Sequence, residues 1–396
     1  MSQPLIPFNH INKILMKRFF PIYFAPIIVC FAGALSCNRG NGNIYDDFKK
    51  VKDSGEHCSV TVSLDTVSLE TINSSGVSLS TVGSDGCIYY YDQYFSWVYK
   101  FDTDGNLLGR YLGYGRGPKE STMKRSACFA ESFDGHWALY GTSLEFELFD
   151  SDFSAINRFR VPYSRQSGVP ESFFEYTFFP PSPEARLYKD KLYIKSYSSD
   201  DKFNYLTTND LYLKEARHIA VVDMQTGEPL SMELRGFPSV YGKDTYKYAA
   251  FELVHFDIGN DGKFYVGFEA DSLVYMFTDK FKPIKAFGRA GNDMDRNYEE
   301  IRSVVEDRGA AVRNRQEKGY YSHIEYIDET GLCFRSYVKG MQSEYDGLQI
   351  YRDGVLIGDC EVPKGFRVAG YVAPYYYSQV YDENDGDKLY VYRFTL

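Results

Sequence analysis

The stretch "WVYKFDTDGNLLGRYLG" (residues 97–113) is an alternating apolar run, a short turn rich in Asp, Gly and Asn, and a second apolar run. The same pattern returns as "EFELFDSDFSAINRF" (145–159), "HIAVVDMQTGEPLSMEL" (218–234), "SLVYMFTDKFKPIKAFG" (272–288), "GLQIYRDGVLIGDC" (347–360) and "DKLYVYRFTL" (387–396). Self-similarity at a spacing of about 60 residues is the mark of a repeat architecture, and is weighed before any local reading. A second hairpin start precedes most of these runs. Asp85-Gly86, Asp134-Gly135 and Asp261-Gly262 are the clear cases, with Lys189-Asp190 and Thr330-Gly331 weaker. Asp-Gly between apolar runs is a hairpin signal, in which both central residues of the favoured two-residue turn have positive φ. Each unit therefore reads as a four-stranded antiparallel meander, and four-stranded sheets repeated radially make a β-propeller.

Composition agrees with this reading. The chain of 396 residues holds 36 Tyr and 30 Phe against 2 Trp, and aromatic side chains fit pleated, half-buried surfaces. In "CIYYYDQYF" and "KLYVYRF" both faces of the strand carry large aromatics. A blade is covered by a neighbour on each side, whereas a two-sheet sandwich leaves its outer faces wet. The expected fold is all-β: a six-bladed β-propeller over residues 56–396. The chain stops after the third strand of the sixth unit, and the alternating segment 58–69, with Val60, Val62 and Leu64, is expected to supply the fourth. Closure from that end removes two unpaired sheet edges.

One helical insertion is expected between blades four and five, over 293–319. Ile301, Val304, Val305 and Val312 fall at helical spacing, Asp295 is the N-cap, and Glu299 and Glu300 stand in the first turn. As a long insertion that closure of the blade does not require, this segment is the expected recognition surface for a partner.

The glycine-rich run "GRYLGYGRGPKES" (109–121) raises the question of a phosphate loop. A Walker loop requires Gly-Lys-Ser/Thr at its end, but Pro118 precedes Lys119 and Glu120 follows it. Pro118 also lacks the amide that an anion nest wants. With "AFGRAGND" (286–293) at the equivalent place after another marker, both runs read as crossings from an outer strand to the next inner strand. The motifs "GYGRGPKE" (113–120) and "FGRAGNDMDRNY" (287–298), together with the "ALSC" box described next, resemble the TolB-like six-bladed propeller lipoproteins of Gram-negative bacteria. The resemblance implies a propeller and an envelope location, and supplies no catalytic residues.

The run "FFPIYFAPIIVCFAGALSC" (Phe19–Cys37) follows "MKR" and precedes polar "NRGNGN". A basic segment, an apolar segment and small residues before a cysteine form a secretory signal, with Cys37 as the lipidated first residue of the mature chain. Pro21 and Pro26, and a length barely at the roughly 20 residues a spanning helix needs, argue against a transmembrane anchor. The expected organisation is a signal at 1–36, in which 1–15 lies upstream of the natural start at Met16, and a flexible tether at 37–55. The absence of an acidic residue directly after Cys37 favours the periplasmic side over surface display, and the expected location is the cell envelope, as a lipoprotein of the outer membrane facing the periplasm.

The formal charge of −10, with both signs interspersed and no basic stripe, makes nucleic acid an unexpected partner. Cys58, Cys87, Cys128, Cys333 and Cys360 are scattered and odd in number, so at least one thiol is expected to stay unpaired. No pair has metal-ligand spacing. No Gly-x-Ser-x-Gly elbow is present, and the acidic clusters at 102–106 and 382–387 read as hairpin turns rather than calcium loops. No catalytic, cofactor or metal residue is assigned. Of the isolated histidines His57, His136, His218, His255 and His323, the pair His255 and Asp257 would share one strand face at i, i+2 and is the weak candidate for a binding site. The expected function is a lipid-anchored, non-enzymatic binding or scaffold module for a protein or glycan. The alternative is a metal-dependent lactonase-like or lyase-like enzyme with its site in the central channel.

Overall fold

The computed structural model describes residues 43–52 and 58–396, apart from 125, 133, 142–144, 162–175, 178–183, 199–209 and 244. Cys37, His57 and the signal lie outside the described residues.

Five antiparallel four-stranded sheets and a sixth of five strands, in which Tyr381–Glu383 also pairs with Lys388–Phe394, succeed one another along the chain. Their innermost strands are Ser78–Val82, Ser126–Glu131, Ala185–Tyr188, Val254–Ile258, Tyr320–Ile327 and Val368–Val372. Each of these packs beside the next and the sixth beside the first, which closes the ring. The six marker runs are the outer strands of the six blades. In the first five, the ladder slips by one residue at the same place, just before the turn, at Phe101, Phe149, Val222, Phe277 and Tyr351. A bulge repeated at one position sharpens the local twist of each sheet.

The period-two pattern explains the burial. Second strands such as Ile88–Asp92, Trp137–Gly141 and Phe264–Phe268 are buried at every residue, while the outermost strand Leu107–Leu112 is half-exposed. Aromatic pairs join neighbouring blades: Tyr89 to Trp137 at 4.4 Å, Tyr193 to Phe264 at 5.0 Å, Tyr265 to Tyr326 at 4.2 Å and Phe334 to Tyr376 at 5.0 Å between ring centroids. The abundance of Tyr and Phe is thus consumed by the contacts between blades.

The first-to-second hairpins differ from the expected turn. Gly86, Gly135 and Gly262 have φ of +77°, +79° and +78°, while the preceding aspartates do not have positive φ. The loops are three residues long, a type I turn followed by one left-handed residue. The aspartate instead turns its carboxylate onto a backbone amide, as Asp85 accepts from Cys87 and Asp261 from Lys263.

Closure comes from the N-terminal side. Asp65–Leu69 pairs antiparallel with Lys388–Phe394, in a ladder running from Asp65 opposite Arg393 to Leu69 opposite Leu389. The strand is shorter than the expected 58–69. Residues 60–64 run beside the outer strand of blade five, where the Val60 amide donates to the Ile357 carbonyl and Val60, Val62 and Leu64 cover its apolar face. Within the segment expected as a tether, Tyr45 and Phe48 are buried against Phe268, Tyr275 and Phe277 of blade four, and the Val51 amide donates to Ala286. Residues 43–52 and 58–69 therefore form a belt across the outer edges of blades four, five and six.

The insertion between blades four and five is present, but only Arg308–Glu317 is helical. Asp295 is not its cap. Its carboxylate accepts from the Asn297 amide and pairs with Lys318. Tyr298 and Ile301 are buried, with Tyr298 packed against Phe251, while Val305 and Val312 are exposed. Residues 293–306 form an extended strap, held to the helix by Asn314, whose side chain exchanges hydrogen bonds with the backbone of Glu299. Fixed contacts to blade four override the helical spacing of the apolar residues.

The glycine-rich loop is a crossing. Gly113 and Gly288, at the ends of the outer strands of blades one and four, have φ of +120° and +124°. The Gly117 amide donates to the carboxylate of Glu120 at 2.7 Å, so the loop's own side chain sits where a phosphate would.

Candidate functional site

Inner strands of a propeller run side by side around the axis, so alternate residues on each line the channel. Three consecutive blades carry a polar pair at i, i+2 on or beside these strands: Glu184 and Arg186, His255 and Asp257, His323 and Glu325. The channel has a volume of about 710 Å³ and opens among the first-to-second turns, beside Asp85, Asn260, Asp328 and Glu329.

The charged groups form one chain of alternating partners. Arg315, from the inserted helix, lies 2.7 Å from Glu269, whose carboxylate is 3.9 Å from His255 Nε2. His255 donates from Nδ1 to Glu184 at 2.5 Å, and the second oxygen of Glu184 accepts from the Phe256 amide. His323 stands between Glu184, at 3.8 Å, and Glu325, at 3.3 Å. Arg186 then forks between Glu325 at 3.2 Å and Asp257 at 2.6 Å, and Asp257 also accepts from the Tyr326 amide.

Burial disfavours ionisation of Glu184, but His255 and Lys195 outweigh it and hold the carboxyl well below the usual range. Burial likewise opposes the His323 cation, and the two flanking carboxylates reverse this and raise it. Burial and the nearby Glu325 push Asp257 up to about 6, against the pull of Arg186.

Asp257 lines the channel, while His255, two residues earlier on the same strand, is buried outside its lining, and they engage different neighbours: His255 bonds Glu184, and Asp257 bonds Arg186. Sequence reading passed over Glu184, Arg186 and Glu325. The signal for them was the recurrence of a polar i, i+2 pair at three inner strands. Among the described residues no group of three or more His, Cys, Asp or Glu side chains is arranged to hold a metal ion. The five cysteines Cys58, Cys87, Cys128, Cys333 and Cys360 are free thiols.

His218 and His136 lie elsewhere. His136 pairs with Asp134 in a surface turn. His218 is buried between Phe237 and Phe268, bonded to the Gly236 carbonyl, and its burial pushes it down to about 3. A histidine depressed in the folded state stabilises above its unfolded value of 6.5, and that contribution is lost as pH falls toward 3. The chain is expected to lose about 3 kcal/mol through this group between pH 7 and pH 4. Urea melts at the two pH values should show that loss shrinking in His218→Gln. An identical pH dependence in the variant would refute the assignment.

No family model and no curated protein matches the chain. It is similar to solved structures of two Bacteroides proteins. One is a member of the DUF4221 family from Bacteroides vulgatus, 14% identical, with a TM-score of 0.60 over 84% of this chain and 98% of that one. The other is a Bacteroides fragilis protein named as a candidate exported protein, 12% identical, with a TM-score of 0.52 over 88% of this chain and 99% of that one. At these identities the likeness is one of fold.

Proposed function

We propose that this protein is an exported, TolB-like propeller, anchored through lipid on Cys37 at the periplasmic face of the outer membrane, that captures a protein segment or glycan at the open mouth of its channel. The observation that carries this reading is the fork of Arg186 between Glu325 and Asp257. Blades three, four and five each contribute one member, and the result is a rigid polar wall whose charges already satisfy one another. Such a wall suits recognition by fixed hydrogen bonds. The signal-like segment and the fold shared with the Bacteroides fragilis protein support export.

Two measurements test it. Cys37→Ala should take up no fatty-acid label and should leave the membrane fraction; normal labelling would refute the anchor. On an array of envelope glycans and peptides, the full chain should retain a ligand unchanged, and Glu329→Lys, at the mouth, should release it without altering the melting temperature. Retention untouched by that change would refute the channel mouth as the site. Asp257, held up to about 6, favours the second reading, a channel enzyme. Turnover of the ligand that disappears in Asp257→Asn would select it.

A further inference from the structure

The two ends of the ring differ in chemistry. At one end lie the second-to-third loops and the crossings between blades. Val77, Tyr94, Tyr114, Val305, Met341 and Tyr345 all stand there, with relative exposures from 47% to 62%. They come from blade one, the first crossing, the 293–317 insertion and blade five. Among the described residues, every exposed large apolar side chain in a loop is at this end. The others are Leu211 and Val312 on helices, Leu108, Ile156 and Leu230 on outer strands, and the terminal Leu396. The opposite end is formed by the first-to-second and third-to-fourth turns, where an aspartate recurs as Asp85, Asp102, Asp134, Asp150, Asp223 and Asp261, so it is called the acidic end below. Single exposed apolar residues are ordinary on a surface. Their confinement to one end of a ring is not.

The chain enters the fold at that same end. Asn43, the first described residue, donates from Nδ2 to the Phe237 carbonyl at 2.6 Å, and Phe237 follows the outermost strand of blade three into the crossing. Burial of Tyr45 and Phe48 fixes the entry point. Cys37 lies six residues before Asn43, and a chain of that length reaches no further than about 20 Å. An acyl chain on Cys37 would hold the crossing end close to a bilayer.

We infer that the crossing end of the ring lies flat against the lipid surface, with Tyr94, Tyr345 and their apolar neighbours seated among the headgroups. The inference rests on the lipid-anchor reading above. Tyrosine, with an apolar body and a polar tip, suits that interface. The end formed by the first-to-second turns then points away from the bilayer. It carries the open mouth of the channel, so the proposed binding site faces the aqueous space.

The test uses the acylated full chain in vesicles of phosphatidylethanolamine and phosphatidylglycerol with brominated acyl chains, which quench nearby tryptophan. Emission is compared with that of the parent, which contains Trp97 and Trp137. Tyr94→Trp and Tyr345→Trp, on separate blades, should each lose most of the added emission. Lys280→Trp, in an exposed turn at the acidic end, should keep it. Equal quenching at both ends, quenching at only one of the two blades, or none at all in chain that sediments with the vesicles overturns the inference and leaves the anchor standing. Shielding of the face by a second copy, read as a dimer by ultracentrifugation without quenching, overturns it as well. A purified chain whose mass includes no lipid overturns the inference and the anchor together.

Discussion

A chain shortened to begin at Glu70 is expected to show no cooperative melt, whereas one that begins at Cys58 melts cooperatively at a lowered temperature. The first truncation removes Asp65–Leu69, the fourth strand of blade six, and the second removes only the segment docked on blade four. Val67 and Leu69 are buried in the cluster that joins blade six to blade one, with Ile88, Tyr90, Tyr99, Tyr377 and Val391. Burial of an aliphatic side chain contributes about 1.5–3 kcal/mol each. The truncation also strips the apolar cover that Val60, Val62 and Leu64 lay over blade five, and exposes the free edge of Lys388–Phe394. Against a folding free energy on the order of 5–15 kcal/mol, losses of this size leave little. Circular dichroism of the two truncated chains makes the comparison, and a melting temperature unchanged from the full chain in the Glu70 form would refute closure by this strand.

The second large effect is expected at Glu184. This carboxylate accepts from both His255 and the Phe256 amide, and it also faces His323. Glu184→Leu leaves a buried imidazole and a buried amide without an acceptor, and breaking a buried pair in this way costs about 3–5 kcal/mol. Glu184→Gln keeps the shape and an acceptor for the amide but removes the charge, so its cost is smaller. The signs of the pH dependence differ between partners. Glu184, depressed in the folded state, stabilises above its ordinary value of 4.5, and this is lost as pH falls. His323, raised in the folded state, contributes stability that is complete below 6.5 and is lost as pH climbs through its folded value. In Glu184→Gln the His323 imidazole should therefore titrate at lower pH, as followed by its ring-proton resonances. An unmoved titration would mean that Glu325 alone sets it.

The blades were legible in the sequence because each rests on local signals. A marker such as 272–288 contains both strands of a hairpin, its turn and its bulge, so partners lie within a few residues of one another. The belt was legible only in part. Val60, Val62 and Leu64 alternate as a strand should, yet residues 60–64 lie beside blade five, and nothing local distinguishes that neighbour from blade six. Tyr45 and Phe48 looked like tether because their partners, Phe268 and Tyr275, lie more than two hundred residues away. At 293–306, helical spacing was real but was overruled by the burial of Tyr298 and Ile301. The candidate site shows a third limit. His255 and Asp257 could be paired by strand period alone, but Glu184 and Glu325 join them only when three blades converge on one axis.

The belt also sets the order of events during folding. Asp65 and its ladder partner Arg393 are separated by 328 residues, so the fourth strand of blade six is made long before the strand it pairs with. Until then blades four to six stand with bare outer edges, and contacts so distant in sequence form slowly. Closure of the ring is therefore gated by the arrival of Lys388–Phe394, and a chain without that strand presents open strand edges to proteases and chaperones.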